Sequence, residues 1–260
     1  MQFIRIITQD AHPAFFNMAL DEAISEAVRQ KLSPPTLRLY QWDNPSVTIG
    51  YFQKISDVDI DYCNKKSYPV VRRATGGRAV LHDSGLTYSF SSHRDFAPFN
   101  GSLLENYRVL SGALVRGLKQ TGIDAEISFE KKRREDSRNP SCFKSMSYGE
   151  ITVDGRKVVG SAQKRYQNGF MQQGSVMLNS LAGELRNVLG GREEGFREIG
   201  PINTDEKRIS CHDLGRSMKD AFEKELGVKL ISDNPAKFEL DLAKELEAKK
   251  YSTKEWNFRR

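Results

Sequence analysis

RRATGGRAVLHD, the stretch at residues 72–83, places two adjacent glycines between two short apolar runs, and we expect the fold to be organised around it. Two arginines close the first run, which resembles the end of a strand, and the pair Gly76-Gly77 allows a tight backbone turn. Val80 and Leu81 resume the apolar pattern before His82. Such a loop suits the binding of an acyl or anionic group, although a simple tight connection between strands has the same composition.

Strand patterns lie on both sides of this loop. Before it, residues 36–40 and 46–49 alternate as half-buried strands joined by a turn at residues 43–45, and residues 1–7 form an earlier strand. After it, residues 86–90 alternate in the same way. The glycine loop is therefore predicted to connect strands.

Helical periodicity fills much of the remaining chain. Apolar residues recur at helical spacing in segments 12–30, 103–120, 181–189, 211–226 and 238–251, and residues 56–67 look helical but polar. We find no internal repeat and no linker rich in glycine, serine or proline. The sequence predicts one α/β (α+β) domain over residues 1–260, with a mixed sheet flanked by helices.

The composition is that of a soluble globular protein. The 260 residues suffice for a large core, and 38% are hydrophobic and 28% charged. No apolar run is long enough to cross a bilayer, and the N-terminal residues read as a strand and not as a signal peptide. We therefore expect a cytoplasmic protein with no membrane association.

Cysteine and histidine usage does not indicate a metal site. The three cysteines include no CxxC pair, and the four histidines are scattered, so we expect neither a disulfide framework nor a structural metal. Cys63 lies in the 56–67 segment and is predicted to be a small buried hydrophobe. A net charge of +6 favours acidic partners in general, of which nucleic acid is only one.

Cys142 is the candidate nucleophile. A thiol attacks as its thiolate, and an unperturbed thiol with a pKa of about 8.5 is mostly protonated at neutral pH. A structural thiol remains an alternative, but Cys142 lies in the polar loop NPSCFKS and not in an apolar periodic run, which favours a functional role. The highly charged residues 130–140 precede it and suit either a solvated loop or a landing site for an acidic carrier protein.

A hairpin at residues 150–159, EITVDGRKVV, supplies a candidate ammonium group for this thiol. An Asp-Gly tip suits a type I′ turn, which predicts the pairs Val153 with Arg156, Thr152 with Lys157 and Ile151 with Val158. Lys157 then shares a polar face with Glu150 and Thr152. A solvated strand lysine is the alternative. The small residues Gly160, Ser161 and Ala162 follow, where a ligand could approach the backbone.

Two further features carry open interpretations. Residues 50–53, GYFQ, follow a predicted strand, and packing by two aromatic side chains is the favoured explanation. His82 is the only histidine near the glycine loop, so we assign it a structural or ligand-contacting role first and that of a base second. Neither a Ser/His/Asp arrangement nor a P-loop is present.

Together, the 72–83 loop and DGRKVVGSAQ at residues 154–163 resemble the lipoate-protein ligase, octanoyltransferase and biotin-ligase superfamily. The resemblance runs nearly end to end, through NMALDE at residues 17–22, GYFQ and the closing YSTKEWN. It is closest to the LipM-type octanoyltransferases, which carry GGRAVLH where lipoate ligases usually have a third glycine, and a Cys-Phe loop before the Gly-Arg-Lys strand. It implies a fold like the catalytic domains of biotin and lipoate ligases and the cores of class II aminoacyl-tRNA synthetases.

The resemblance also implies roles for individual residues. Cys142 would form an acyl thioester, and Lys157 would lower the pKa of its thiol and orient the acyl carbonyl. Substrate contacts are expected from Arg73, Thr75, Gly76, Gly77, Arg78, Ala79, His82, Gly160, Ser161 and Ala162. One departure is Gln173, which stands before Gly174-Ser175 where many relatives have a histidine.

The implied function is two-step octanoyl transfer in lipoate biosynthesis. Octanoyl-acyl carrier protein would be the donor and an apo lipoyl-domain protein, the glycine cleavage H protein or an E2 subunit, the acceptor; both are acidic in the usual case. We expect a monomer that needs no ATP or other cofactor and binds neither nucleic acid nor membrane. The first alternative is an ATP-dependent lipoate-protein ligase. The second is a basic nucleic-acid-binding module, which we disfavour because no aromatic platform is interleaved with the arginines.

Overall fold

The computed structural model of this chain describes residues 2–128, 150–179, 182–191 and 200–260. Within them, a mixed sheet of eight strands has the order β11-β1-β2-β6-β10-β9-β8-β7. Its strands are β1 (Phe3–His12), β2 (Thr36–Trp42), β6 (Leu86–His93), β7 (Glu126–Ser128), β8 (Glu150–Val153), β9 (Arg156–Tyr166), β10 (Gly169–Val176) and β11 (Lys229–Ser232). Strand β1 is parallel to β2 and β11, and the other neighbours are antiparallel.

A smaller sheet carries the glycine loop. It has the order β4-β3-β5, with β3 (Ser46–Ile49), β4 (Val70–Arg72) and β5 (Val80–His82). Strand β3 is parallel to β4 and antiparallel to β5. The loop from residue 73 to residue 79 therefore joins the two outer strands of this sheet.

Helices cover both faces of the large sheet. The helices are α1 (Ala14–Arg29), α2 (Ile60–Lys65), α3 (Leu103–Gln120), α4 (Ala182–Val188), α5 (Cys211–Leu226), α6 (Lys237–Leu246) and α7 (Lys254–Asn257), with a 3₁₀ turn at Ile55–Asp57 and a π-helical turn at Glu247–Tyr251. Helices α3 and α5 pack on one face with a cluster of phenylalanines, among them Phe90, Phe99 and Phe222. Helix α1 packs on the opposite face with α6.

The predicted mixed α/β fold is confirmed, and two helices have the predicted bounds. Helix α3 begins at a capping box in which Ser102 and Glu105 each bond the other's backbone amide. Helix α5 ends at Gly227, whose φ of 64° is the left-handed conformation that favours glycine. Cys63 is fully buried in the core of the small sheet, as predicted.

Several strand predictions were wrong in detail. The strands over residues 36–40 and 46–49 were expected to be half-buried and joined by a turn, but β2 and β3 are buried almost throughout and belong to different sheets. Helices or the other sheet cover both sides of these strands, which removes the solvent-facing side that alternation implies. Strands β5 and β11 were not predicted, and the helix expected over residues 56–67 is split into a 3₁₀ turn and the short α2.

The hairpin of β8 and β9 has a bulge that the turn rule did not predict. Val153 pairs with Arg156 and Thr152 with Lys157, as expected, but Ile151 pairs with Val159 instead of Val158. The extra residue lets Val158 and Val159 both enter the core, where each is at most 2% exposed.

Candidate active site

A narrow cavity lies where the small sheet meets strands β9 and β10 of the large one. Its volume is about 30 Å³, and it is lined by Met18, Tyr40, Trp42, Thr48, Arg73, Val80, His82, Thr87, Gly160, Ser161, Ala162, Gln173, Gly174 and Ser175. Strand pairing places Gly160 opposite Ser175 and Ser161 opposite Gly174. The register of β9 on β10 thus brings small residues of both strands to one wall of the cavity.

The structure brings together part of the predicted substrate site. Arg73, His82, Gly160, Ser161 and Ala162 line the cavity. Thr75 reaches it through a hydrogen bond to the lining residue Gln173. Gly76, Gly77 and Arg78 lie in the loop outside the lining, and Ala79 is buried in the core of the small sheet.

Arg73 holds the loop from the inside. Its guanidinium donates to the carbonyl oxygens of Gly76 (2.9 Å) and Arg78 (2.7 Å) and to the hydroxyl of Thr48 (2.9 Å). The side chain is buried, so these bonds form away from competing water. An arginine expected to contact substrate therefore also fixes the shape of the loop.

The GYFQ segment packs against the backbone of the glycine loop. A Cβ atom at Gly50 would lie 1.9 Å from the carbonyl oxygen of Gly77, so only glycine allows this approach. The amide of Tyr51 donates to the carbonyl of Thr75 at 2.9 Å. The expected packing by two aromatic side chains was wrong for Phe52, which is 67% exposed.

His82 is a buried, neutral member of the cavity wall. Its Nε2 lies 2.9 Å from the Thr48 hydroxyl, and its ring stacks on Trp42 with centroids 4.2 Å apart. Burial, and secondarily the charge of Arg73, lower the pKa of His82 to about 3. A group with that pKa is a poor base at neutral pH, so this arrangement fits the structural or ligand-contacting role.

Lys157 is buried and ion-paired. Its ammonium donates to Glu150 Oε1 at 2.5 Å, and the two side chains are 5% and 2% exposed. The alternative of a solvated lysine was therefore wrong, and the predicted common face with Glu150 is confirmed. Cys142 and the charged residues 130–140 lie outside the described residues, so the pairing of Cys142 with Lys157 stays a prediction.

Gln173 joins the loop to helix α1. Its Oε1 accepts from the Thr75 hydroxyl at 2.8 Å, and its Nε2 donates to Asp21 Oδ2 at 2.7 Å. Asp21 also accepts from Arg38 (2.8 Å) and from the Tyr40 hydroxyl (2.8 Å). We call these five residues the Asp21 network. Sequence reasoning missed it, although a charged residue within the apolar face of α1 and another within a strand were visible signals.

The charges within the buried Asp21 network balance each other. All five side chains are buried, and Arg38 balances the charge of Asp21. Burial, followed by the charge of Asp21, raises the pKa of Tyr40 well above its ordinary value, so this phenol remains a hydrogen-bond donor. The network therefore sets which atom of the Gln173 amide faces the loop.

Comparison with known proteins places this architecture in a family. The family model described as the lipoyl protein ligase A/B catalytic domain matches residues 13–223. The chain belongs to the lipoyl protein ligase A/B catalytic domain family. It is 38% identical to a protein named Octanoyltransferase LipM from Kyrpidia tusciae, over 100% of both chains.

Solved structures of lipoate ligases are similar over the whole chain. A Thermoplasma acidophilum protein assigned as a lipoate protein ligase, with bound lipoic acid, has a TM-score of 0.83 and 27% identity, covering 100% of both chains. A bi-partite lipoate protein ligase from the same organism, described with its E2 lipoyl domain, has a TM-score of 0.82 and 26% identity, covering 99% of this chain and 97% of that one. The large mixed sheet is thus the sheet of this ligase family.

Two further findings concern the described residues of this family member. None of their helices combines the length and apolar character that crossing a membrane requires. They also contain no group of three or more His, Cys, Asp or Glu side chains placed to hold a metal ion.

We expect Gln173→Glu to destabilise the protein. The variant places a carboxylate against Asp21 and removes the Nε2 donor, at a cost of about 2–4 kcal/mol in the free energy of unfolding at pH 8. The loss should shrink toward pH 5, because protonation of the introduced carboxylate restores a donor. Urea unfolding at both pH values measures this, with the exposed Gln167→Glu as control. An equal loss at both pH values would contradict the proposed geometry.

We expect His82 to make stability depend on pH. Its folded pKa of about 3 lies below its ordinary value of 6.5, so the unfolded chain binds more protons between these values. Its contribution to the free energy of unfolding is therefore complete above pH 6.5 and falls by up to about 1.4 kcal/mol per unit as the pH decreases. Urea unfolding from pH 7 to 5 should show a shallower slope for His82→Asn.

The exposed His212, replaced by asparagine in the same way, is the matched control for this measurement. A slope that His82→Asn leaves unchanged would show that the buried ring is not the source of the pH dependence.

Proposed function

We propose that this protein is an octanoyltransferase of lipoate biosynthesis that works through an acyl-cysteine. The Cys142 thiolate attacks the carbonyl carbon of octanoyl-acyl carrier protein, a new C–S bond forms, and the carrier thiolate leaves and takes up a proton. A lysine amine of an apo lipoyl domain then attacks the enzyme thioester. The C–N bond forms, the amine loses its proton, and the Cys142 thiol is released.

The full-length match to a relative named as an octanoyltransferase is the observation that carries this proposal. The family match supports acyl transfer to lipoyl proteins more generally. A thioester donor also supplies the free energy for amide formation, so the proposed reaction needs no ATP. The acceptor class is a lipoyl-domain protein, such as a glycine cleavage H protein or an E2 subunit.

The cavity is the proposed acyl site. Met18, Trp42 and Val80 give it apolar walls, and Gly160 and Ser161 bring the β9 backbone to its surface. The backbone amides at residues 76–77 and 160–161 are the candidates for stabilising the oxyanion. A volume of about 30 Å³ holds little more than one water molecule, so we expect octanoyl binding to widen the gap between the loop and β9.

Lys157 is the proposed activator of Cys142, and the carboxylate of Glu150 weakens the effect of its ammonium group on the thiol. An ammonium beside a thiol favours the thiolate. Because the Glu150 carboxylate lies 2.5 Å from this ammonium, it offsets much of the positive field that Cys142 would experience. Glu150 therefore sets how far Lys157 can lower the pKa of the thiol.

An ATP-dependent lipoate ligase is the second candidate. The Thermoplasma acidophilum structure with bound lipoic acid favours it, because the two folds are similar over the whole chain. In that mechanism Lys157 would contact an acyl-adenylate and Cys142 would have no role. The two candidates differ in whether acylation of an apo lipoyl domain requires ATP.

The first test is intact-mass spectrometry of the protein after incubation with octanoyl-acyl carrier protein and no ATP. We expect a gain of one octanoyl group that hydroxylamine removes and that is absent in Cys142→Ser. Cys211→Ser is the matched control, because that thiol lies at the start of α5, on the face of the large sheet opposite to helix α1. Full transfer activity in Cys142→Ser would reject the acyl-cysteine, and a strict need for ATP would favour the ligase.

The second test is the pH dependence of acyl-enzyme formation. Glu150→Gln removes the carboxylate from Lys157, so we expect a lower pKa for the Cys142 thiol and an acid limb shifted to lower pH. Lys157→Met should shift the limb to higher pH and slow the reaction at pH 7 by about tenfold or more. Stopped-flow or quenched-flow measurement of the loading step checks both. Identical pH profiles in the wild type, Glu150→Gln and Lys157→Met would show that Lys157 does not influence the pKa of the nucleophile.

A further inference from the structure

Cations and aromatic rings from distant parts of the sequence lie together beside the glycine loop. We call them the basic rim: Tyr51, Phe52, Lys164, Trp256, Arg259 and Arg260. The Arg259 guanidinium lies 3.8 Å from the ring centre of Tyr51 and 4.1 Å from that of Trp256. Lys164 Nζ lies 5.2 Å from the Tyr51 ring, and the Arg260 guanidinium lies 5.3 Å from the Phe52 ring.

The basic rim is anchored to the loop by Arg72. The Arg72 guanidinium donates to the carbonyl oxygens of Gly50 (2.8 Å) and Asn257 (2.9 Å), and Trp256 Nε1 donates to the Arg72 carbonyl at 2.7 Å. Arg72 is fully buried. One side chain therefore holds both the GYFQ segment and the C-terminal residues against the end of β4.

The basic rim also borders the cavity. Residues two apart on a strand point to the same side, so Lys164 extends the face of β9 on which Ala162 lines the cavity. Tyr51 adjoins the loop directly, because its amide donates to the Thr75 carbonyl. A molecule seated on the rim would lie next to the proposed acyl site.

The cations of the rim form no direct ion pair with a described carboxylate, although the charge of Glu22 does act on Lys164. Within the described part of the chain, Lys164, Arg259 and Arg260 form no ion pair, whereas the neighbouring Lys250 is bonded to Glu22. Phe52, at 67% exposed, lies beside Arg260. An exposed apolar side chain beside cations that form no ion pair is typical of a surface that binds an acidic protein.

We propose that the basic rim docks the acceptor, an acidic lipoyl domain whose target lysine then reaches the acyl group. This inference rests on the proposed function, since it assigns a partner to the same site. A similar protein, the bi-partite ligase from Thermoplasma acidophilum, was described with its E2 lipoyl domain, which supports an acceptor of this kind. Docking on the rim leaves the cavity beside it free for the octanoyl chain.

Single-stranded nucleic acid is the competing occupant. Sequence reasoning disfavoured it because no aromatic platform was interleaved with arginines, but the structure stacks Tyr51 and Trp256 against Arg259. The basis for that exclusion was therefore wrong, since Tyr51 lies about two hundred positions before Trp256 and Arg259 and only the fold brings it to them. The position of the rim beside the acyl cavity is what favours a protein acceptor.

The test follows single-turnover transfer from isolated octanoyl-enzyme to an acidic apo lipoyl domain at several acceptor concentrations. For Arg259→Glu/Arg260→Glu we expect the half-saturating concentration to rise by about tenfold or more, with a nearly unchanged limiting rate. Higher ionic strength should reduce the difference in half-saturating concentration between the wild type and this double variant. Phe52→Ala, which leaves the charge intact, should raise the half-saturating concentration independently.

Arg216→Glu/Lys224→Glu is the matched control. It makes the same change in charge at two exposed positions of α5, on the opposite face of the sheet. Equal half-saturating concentrations for the rim and control variants would overturn the proposal. Lys164→Glu, on a different element, repeats the test if the double variant at the C-terminus unfolds at a lower temperature than the wild type.

Failure of the proposed function has a different signature, because octanoyl-enzyme would then not form in the wild type. Calorimetric titration of the apo lipoyl domain into wild-type and rim-variant protein tests docking in that case as well. Equal affinities would reject docking on the rim. If the rim substitutions abolish binding of a single-stranded oligonucleotide but leave binding of the lipoyl domain intact, the rim belongs to nucleic acid.

Discussion

The carboxylate of Asp21 is the constraint on which the site depends. It is buried, it accepts from Arg38 and Tyr40, and it orients the Gln173 amide that holds Thr75. A buried anion is tolerated only when such partners replace the water it has lost, so these groups must be in place together. Helix α1, strands β2 and β10 and the glycine loop are thereby fixed relative to one another.

Arg72 and Arg73, which precede the two glycines, stabilise different parts of the loop. Arg73 bonds the carbonyls of Gly76 and Arg78 within it, and Arg72 bonds Gly50 and Asn257 outside it. Both donate mainly to backbone oxygens, and Arg73 also donates to the Thr48 hydroxyl. From the composition of the loop, a binding site for an acyl or anionic group was expected, but the contacts of these two arginines hold the loop in shape. An acyl group would therefore meet mainly the backbone of the loop.

Electrostatics differ between the inside of the site and its border. Inside, Lys157 is balanced by Glu150 and Arg38 by Asp21, because an unpaired buried charge is costly. At the border, Lys164 and Arg259 lie against aromatic rings and form no ion pair with the described residues. An apolar acyl chain and an acidic protein would therefore meet different surfaces a short distance apart.

The sequence by itself determined the elements whose signals are local. The capped helices α3 and α5, the hairpin tip at residues 154–155, the mixed α/β class and the glycine loop are set by periodicity and turn chemistry within a few residues of each other. Only the tertiary structure decided the bulge at Val158, the separation of β2 from β3, the Asp21 network and the basic rim. Each of these depends on which distant side chains compete for the same buried space or the same hydrogen bond, as when Gln173 meets Thr75 across 98 positions, and no local pattern encodes that choice.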